Sequence, residues 1–386
     1  MLKCGILLVI MENYENYRLN HRQSPETKNP IIFYDVDGTL AEPFESPPSE
    51  LKKLLVALDE MGVIQVLCSG KNHEYLAGLA RGLSLKKSNL VIAENGAVIF
   101  DWKNLKVINL VEDIEKLSEI RRQSRDHLAE RVLYEEPKLS ILTFFLLERI
   151  EMFGRTHQKI KKLADDNNLQ LFSNNDGAID LIPNGINKGN AIRRVILDLG
   201  LSEKEVITCG DSMNDMAMLE IGYPITFSNV HPDLIDLVKA RQGYIARQPA
   251  PEGLIEAISN LSEIKNFENH FYRLPIAHRP WGMWEVLATG PGFKIKRMIV
   301  EPGHRLSLQM HKFRSEHWFV FGGKAQVTRG DEDLIILENE TVTIPKNVKH
   351  RIKNKNEKKL IIIETQLGDY LEEDDIVRFE DDYNRR

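Results

Sequence analysis

The sequence contains little cysteine and no long apolar run. Its three cysteines, Cys4, Cys68 and Cys209, are not spaced like disulfide partners, which excludes a disulfide framework and favours the reducing cytoplasm. The apolar run at residues 5–11 is too short to cross a bilayer and is not followed by a small-residue cleavage site. We therefore expect neither a signal peptide nor an association with membranes.

The chain also lacks an excess of positive charge. It has 51 basic and 57 acidic residues and a net charge of −6, so its composition offers no general attraction for nucleic acid. Its 386 residues, 42% of them hydrophobic and 28% charged, suffice for two or three globular domains. Residues 12–29 are polar, and residues 1–29 are expected to form an N-terminal extension.

Short apolar strands alternate with amphipathic helices over the first two thirds of the chain. This alternation predicts an α/β doubly wound, largely parallel sheet over residues 30–262. Ligands of such sheets bind beyond the carboxyl ends of the strands. The predicted strands include 31–34, 63–68, 90–93 and 206–209, and the predicted helices include 49–61, 189–199 and 252–262.

Polar residues with the chemistry of phosphoryl transfer follow these strands. Asp35 ends the first strand and can attack phosphorus, while Asp37, two residues on, can protonate a leaving oxygen and then activate water. Neighbouring carboxylates repel each other and require a cation, for which Mg²⁺ with oxygen ligands is suited. A lysine and a hydroxyl, available in Lys188 and Ser69, can hold the transferring group.

The motif Asp-Val-Asp-Gly-Thr at residues 35–39, followed in order by the three later clusters, resembles the haloacid dehalogenase-like phosphatases. That resemblance implies an Mg²⁺-dependent enzyme that works through an aspartyl-phosphate. The implied roles are Asp35 as nucleophile and metal ligand, Asp37 as acid/base with its carbonyl on Mg²⁺, Ser69 and Lys188 on the phosphate, Asp211 and Asp215 at the metal, and Thr39, Gly70 and Asn214 at the substrate.

Residues 101–175 interrupt this core with a helix, strand, helix, strand pattern and are expected to form an inserted α/β cap. The core is then 30–100 and 176–262. The insertion resembles the caps of phosphoglycolate phosphatase, sucrose-phosphatase and mannosyl-3-phosphoglycerate phosphatase, which implies a sugar phosphate as substrate. Residues 173–177 are candidates for recognising that substrate. Eukaryotic-type phosphomannomutases share the fold, and a mutase is the alternative; the compact run at 210–219 favours a phosphatase.

A second constellation lies in the last third of the chain. Gln309 and His311 alternate on one predicted strand and therefore project from the same face. Glu316 follows closely, and His350 belongs to a later strand. Two imidazoles, a carboxylate and an amide oxygen form a ligand set suited to one divalent transition metal, Zn, Fe, Mn or Ni.

These residues and their flanks, Arg279-Pro280-Trp281-Gly282 and residues 293–297 and 368–378, resemble the cupin of type II mannose-6-phosphate isomerases. The resemblance implies an all-β cupin (double-stranded β-helix or jelly-roll) domain at 279–386, behind a semi-rigid linker at 263–278. It also implies interconversion of mannose 6-phosphate and fructose 6-phosphate. Such cupins are often joined to a guanylyltransferase, whose Gly-rich nucleotide loop this chain lacks.

The isomerase chemistry requires groups that bind phosphate and stabilise the charge developing on the sugar. Lys296, Arg297 and Arg305 are the candidates for substrate binding, and Arg351 is the candidate catalytic cation. The alternative for Arg351 is an outward direction, since it directly follows His350 on a predicted strand. The alternative from another functional class is a non-catalytic cupin that senses sugar phosphates or joins two chains as a homodimer. Sugar phosphates are in either case the expected small-molecule partners.

Overall fold

The computed structural model describes residues 30–128, 132–146, 154–173, 178–261 and 274–382. The predicted extension 1–29, residues 174–177 of the candidate substrate loop and most of the predicted linker lie outside this described part. Within it, no helix combines the length and the apolar character that crossing a bilayer requires.

An eight-stranded sheet forms the N-terminal core, in the order β12-β11-β10-β1-β2-β3-β4-β5. The strands from β12 to β3 are parallel, as predicted, and β1 is buried on both faces because helices cover the sheet on either side. The strands are β1 Ile31–Tyr34, β2 Ile64–Cys68, β3 Leu90–Ala93, β4 Val98–Asp101, β5 Lys106–Asn109, β10 Val206–Cys209, β11 Tyr223–Thr226 and β12 Tyr244–Ile245; the helices are α1 Ser49–Glu60, α2 His73–Gly82, α5 Lys188–Asp198, α6 Met216–Leu219, α7 Pro232–Ala240 and α8 Glu252–Ser259.

The cap has a four-stranded sheet in the order β6-β7-β9-β8, with two helices. Its first strand, β6, was not predicted from the sequence. Both ends of the cap also differ from the predicted range 101–175. Strand β4 extends the core sheet antiparallel to β3, and β5 pairs antiparallel with β4, so the cap does not begin at 101. Strand β9 pairs with cap strands, so the cap does not end at 175. The elements are α3 Ile114–Leu128, β6 Val132–Glu135, β7 Leu142–Leu146, α4 Arg155–Asp166, β8 Leu169–Ser173 and β9 Ala178–Pro183.

Glu94 and Asn95, which directly follow β3, attach the cap to the core. The Glu94 carboxylate accepts hydrogen bonds from the backbone N–H groups of Leu139 and Ser140 at 2.8 and 2.7 Å. Asn95 Nδ2 donates to Asp180 Oδ2 at 3.0 Å. Because Glu94 and Asn95 are both buried, these bonds are shielded from water and fix one edge of the cap beside the core.

The C-terminal region is all-β and contains a six-stranded sheet, β13-β14-β15-β22-β17-β20, and a five-stranded sheet, β19-β18-β21-β16-β23. Its pairings are antiparallel, as a cupin requires, and a cluster around Trp318, Val320 and Ile352 fills the interior. The strands are β13 Ile276–Arg279, β14 Gly282–Gly290, β15 Phe293–Val300, β16 Leu308–His311, β17 Arg314–Gly322, β18 Ala325–Arg329, β19 Glu332–Ile336, β20 Thr341–Ile344, β21 His350–Asn354, β22 Leu360–Gly368 and β23 Ile376–Glu380.

The first cupin strand lies against the phosphatase-like core. Leu274 and Ile276 join the same buried cluster as Ile258 of α8, so residues predicted as linker are part of the domain contact. His278 Nε2 lies 3.2 Å from Glu50 Oε1 of α1 and adds a polar contact. The cupin therefore begins before residue 279, and it is packed on its neighbour.

Candidate active sites

Three strand ends bring the first set of polar residues together. Asp35 follows β1, Ser69 follows β2 and Asp211 lies just beyond β10. The Asp35 N–H donates to Cys209 O at 2.9 Å, which continues the β1–β10 pairing by one residue and directs Asp35 into the edge of the sheet. Parallel pairing thus places residues far apart in sequence at one site.

Lys188 connects two carboxylates of this site. It is the first residue of α5, where Asn187 caps the helix by accepting the Asn190 N–H. Its Nζ lies 2.6 Å from Asp35 Oδ1 and 2.6 Å from Asp215 Oδ1. The lysine is completely buried, so its charge requires both partners.

Asp215 organises the loop that carries Asp211. Its Oδ2 accepts hydrogen bonds from the N–H groups of Asp211 and Ser212 at 3.1 and 3.0 Å. Thr39 Oγ1 donates to Asp211 Oδ1 at 2.9 Å. Gly38 is required nearby, since a Cβ there would lie 2.3 Å from Asp211 Oδ2 and its φ is +85°.

The carboxylates are crowded enough to perturb one another. Burial raises the pKa of Asp35, the charges of Asp215 and Asp211 raise it further, and Lys188 offsets only part of this effect. Burial and the charge of Asp215 raise the pKa of Asp211 to about 7. Oxygens of Asp35, Asp211 and Asp215 all lie within 4.8 Å of one another. Two buried carboxylates and the half-buried Asp211 beside one ammonium fit a hard divalent cation with oxygen ligands.

A cavity of about 620 Å³ lies between this centre and the cap. Ser69, Gly70 and Asn214 line it, as expected of residues that contact substrate. Asp37 also lines it, and its carboxylate pairs with Lys71 Nζ at 3.1 Å. Lys71 was not singled out from the sequence, although it directly follows Ser69-Gly70. Thr39 does not line the cavity but supports Asp211 from behind.

The cap contributes a polar cluster to the same cavity that sequence reasoning missed. Lys138 is buried, donates to Thr143 Oγ1 at 2.7 Å and lies 3.1 Å from Glu136 Oε2. Thr143 Oγ1 donates to Asp180 Oδ1 at 2.5 Å. Lys138 lies in the loop between β6 and β7, directly after Glu135, Glu136 and Pro137, so its sequence context gave no signal that its charge would be buried. Phe145 and Phe172 line the cavity beside the cluster.

The second predicted constellation converges inside the cupin. His311 Nε2 lies 3.0 Å from Glu316 Oε1, and His350 Nε2 lies 3.5 Å from Glu316 Oε2. All three side chains are buried and offer ligand atoms within 4.8 Å of one another. Gln309 lies directly across from His350 in the β16–β21 pairing.

The donor atoms of this cluster suit a metal ion. His350 Nδ1 contacts Val348 O at 2.9 Å, which directs Nε2 inward, where it has no hydrogen-bond partner among the described residues. Burial lowers the pKa of His350, which favours the neutral, metal-binding imidazole. Burial alone would raise the pKa of Glu316, but His311, His350 and Arg314 hold it well below its usual range.

A cavity of about 170 Å³ opens beside these ligands and contains both signs of charge. Gln309 and Glu316 form part of its wall, and Lys296 is the one predicted substrate-binding cation among its lining residues. Unforeseen members are Arg314, which donates from Nε to Glu316 Oε1 at 3.1 Å, and Glu364, whose pKa is raised to about 7 by burial and by the charge of Glu316. The other polar lining residues are Ser259, Arg279, Ser307, Gln366, Glu373 and Arg378.

Three predicted cations lie elsewhere, which corrects the expectation for them. Arg297 and Arg351 each follow an inward residue on a strand, so alternation turns them to the other face. There Arg297 pairs with Glu285 at 2.7 Å and Arg351 with Glu380 at 2.7 Å. Arg305 pairs with Asp382 at 2.6 Å near the surface.

Comparisons with known proteins agree with this division of the chain. The family model of haloacid dehalogenase-like hydrolases matches residues 32–143 and 112–258, and the model described as mannose-6-phosphate isomerase C-terminal matches residues 266–381. Among solved structures, a haloacid dehalogenase-like hydrolase from Bacteroides thetaiotaomicron is 19% identical and covers 60% of this chain and 98% of its own, with a TM-score of 0.46.

Curated relatives match only a part of this chain and a smaller part of themselves. The xanthan biosynthesis protein XanB of Xanthomonas campestris is 48% identical over 130 residues, which is 34% of this chain and 27% of XanB. The mannose-1-phosphate guanylyltransferase ManC of Salmonella typhimurium is 39% identical over 141 residues, 36% of this chain and 29% of ManC. From the family matches, the fold and the two residue clusters together, the chain belongs to the haloacid dehalogenase-like hydrolases and carries a mannose-6-phosphate isomerase C-terminal domain fused behind its hydrolase domain.

Proposed function

We propose that the chain is a bifunctional enzyme of sugar-phosphate metabolism. The hydrolase domain is an Mg²⁺-dependent phosphatase, and the cupin is a metal-dependent isomerase that interconverts mannose 6-phosphate and fructose 6-phosphate. The observation that carries the proposal is that each domain contains a buried ligand cluster, Asp35–Asp211–Asp215 and His311–Glu316–His350, beside a polar cavity. A cupin that only senses or dimerises would not require the second cluster.

In the phosphatase site, Asp35 attacks phosphorus and forms an aspartyl-phosphate while Asp37 protonates the leaving oxygen. Asp37 then takes a proton from water, which attacks the acyl-phosphate and releases inorganic phosphate. Lys188 and Ser69 hold the phosphoryl oxygens as charge develops on them. Bound Mg²⁺, held by Asp35, Asp211 and the carbonyl of Asp37, would supply charge neutralisation. Asp215 orients the Asp211 loop and Lys188.

The cap cluster supports a hydroxylated substrate. Glu136 and Asp180 accept hydrogen bonds from sugar hydroxyls, and Lys138 donates to them, while Phe145 and Phe172 contact the apolar face of a ring. A substrate of this class leaves the phosphoryl group at Asp35 and its hydroxyls at the cap. Release of inorganic phosphate, rather than transfer to a second sugar hydroxyl, distinguishes this assignment from a mutase.

In the cupin, the substrate must lose a proton next to its carbonyl and regain it on the neighbouring carbon. Lys296 and Arg314 provide buried positive charge for the phosphate and for the oxygen that becomes negative. Glu364 can hold a proton near neutral pH, and Trp318 Nε1 and Gln366 Nε2 orient its carboxyl at 3.0 and 2.6 Å. A divalent transition metal held by Gln309, His311, Glu316 and His350 would supply Lewis acidity.

Replacing the nucleophile separates the two activities. Asp35→Asn should lower phosphate release at least about a thousandfold, because no aspartyl-phosphate can form. Isomerase activity should stay within about twofold, since Asp35 is not among the residues that line the cupin cavity. Asp198→Asn, which alters an exposed carboxylate of α5, is the control and should change neither rate. Rapid phosphate release by Asp35→Asn from every sugar phosphate tested would disprove the assignment.

Adding Mg²⁺ to chelated protein should restore phosphate release and raise the melting temperature. Neutralising the buried carboxylates at a concentration near 100 Kd stabilises the folded state by about 2.7 kcal/mol. Asp211→Asn should weaken this shift, whereas His350→Ala should retain it. The measurement is a thermal melt at increasing Mg²⁺ with parallel phosphate assays. Full activity in a sample shown by elemental analysis to be metal-free would contradict the mechanism.

Truncating one cupin ligand should remove the transition metal. His350→Ala should lower the bound metal from about one ion per chain to a small fraction, because one of four ligand bonds is lost. Isomerase activity should fall with it while phosphatase activity persists. Elemental analysis of the full chain measures the metal, and His317→Ala, which replaces an exposed histidine of the same domain, is the control. Equal metal content in wild type and His350→Ala would refute the ligand assignment.

Removing the cap cation should affect sugar substrates selectively. Lys138→Met keeps the length of the side chain but removes its charge, and kcat/KM for the best sugar phosphate should fall tenfold or more. Turnover of p-nitrophenyl phosphate, which has no sugar hydroxyls for the cap to bind, should change less than about twofold. Lys159→Met on the exposed face of α4 is the control, and thermal melts check folding. Equal losses on both substrates would argue for a purely structural Lys138.

A further inference from the structure

The cupin cavity is not built by the cupin alone. Its lining residues include Ser259, the last residue of α8 in the hydrolase domain, together with Leu274, Ile276 and Ala277 of the segment that joins the domains. Opposite them lie Lys296, Glu316 and Glu364 of the cupin barrel. The α8 end of the hydrolase domain therefore forms part of the wall of this cavity.

Ser259 has an unsatisfied polar atom in this wall. The residue is 1% exposed, and its Oγ has no hydrogen-bond partner in the described part of the protein. A buried hydroxyl without a partner is unfavourable, so such groups usually meet a ligand or an ordered water. A hydroxyl both donates and accepts, which suits a sugar hydroxyl or a phosphate oxygen.

Ser259 is held in place by contacts between the domains. Ile258 and Leu261 on either side of it pack in one buried cluster with Leu274 and Ile276. The next residue, Asn260, accepts a hydrogen bond at Oδ1 from Arg279 Nη1 at 3.3 Å, and Arg279 also lines the cavity. A second polar contact, His278 with Glu50, lies on the same interface. These contacts fix the end of α8, and with it Ser259, in the wall of the cavity.

We infer that the hydrolase domain supplies part of the sugar-phosphate site of the cupin, with the Ser259 hydroxyl as a substrate-positioning group. The inference rests on the proposed isomerase function and extends it, because it makes the isomerase site a joint product of both domains. Ser259 touches no reacting carbon in this role. It contributes one hydrogen bond to the bound sugar phosphate and helps to exclude water.

The test uses the full chain and four variants. Ser259→Ala should raise the isomerase KM for mannose 6-phosphate about three- to tenfold with kcat within about twofold, since one neutral hydrogen bond is lost. Ser259→Thr keeps the hydroxyl and should stay within about twofold of wild type. Ser259→Leu fills the cavity and should raise KM more than Ser259→Ala. Ser88→Ala, a buried serine elsewhere in the same domain, is the matched control.

A binding measurement keeps the inference testable even without isomerase turnover. Mannitol 6-phosphate has no carbonyl, so it cannot be isomerised, and Asp35→Asn prevents its hydrolysis. Trp281 and Trp284 line the cupin cavity, so tryptophan fluorescence reports on this site. Binding that Ser259→Ala weakens three- to tenfold supports the inference, even if wild type fails to isomerise and the proposed reaction is abandoned. No fluorescence-detected binding, or unchanged KM and affinity in both Ser259→Ala and Ser259→Leu, would overturn it.

Discussion

Lys188 Nζ lies between Asp35 and Asp215 at 2.6 Å from each, and this buried ion triad determines how the parts of the hydrolase site meet. It joins the end of β1, the start of α5 and the loop after β10. Removing one member of such a group leaves an uncompensated buried charge, which costs about 3–5 kcal/mol. The arrangement is therefore tolerable only as a whole, and a cation completes it.

The cupin solves a related problem with different residues. Arg314 approaches Glu316 to 3.1 Å, and the two histidines approach it from the other side, so the carboxylate stays ionised although it is buried. Trp318 Nε1 donates to both Glu316 and Glu364 and so links the two carboxyl groups. Burial and the charge of Glu316 raise the pKa of Glu364, so Glu364 holds its proton more readily. The paired strands β17 and β22 thus present two carboxylates whose pKa values are shifted in opposite directions, as acid–base chemistry beside a metal requires.

Local patterns predicted much of this structure. The apolar strand runs indicated the parallel core, and the two-residue spacing of Gln309 and His311 correctly indicated that they share a face. The same alternation, applied to Lys296 and His350, would have excluded Arg297 and Arg351 from the cavity. The cap boundaries were missed because β9 is an apolar run like the core strands, and its sheet depends on long-range pairing. Arg314 and Lys138 each pair with a carboxylate two residues away, Glu316 and Glu136, but their burial depends on the packing of distant strands, which no local pattern indicates.

The bonds from Glu94 and Asn95 to the cap have a consequence for the order of events in the hydrolase site. They hold the edge of the cap that carries Leu139, Ser140 and Asp180, so a cap that keeps them opens by swinging about this edge as a hinge. The polar cluster around Lys138 lies next to this edge, because Lys138 directly precedes Leu139. In the proposed mechanism the dephosphorylated sugar must give way before inorganic phosphate forms, because water attacks from the position that the sugar oxygen vacates, and opening at the far edge of the cap would allow this exchange.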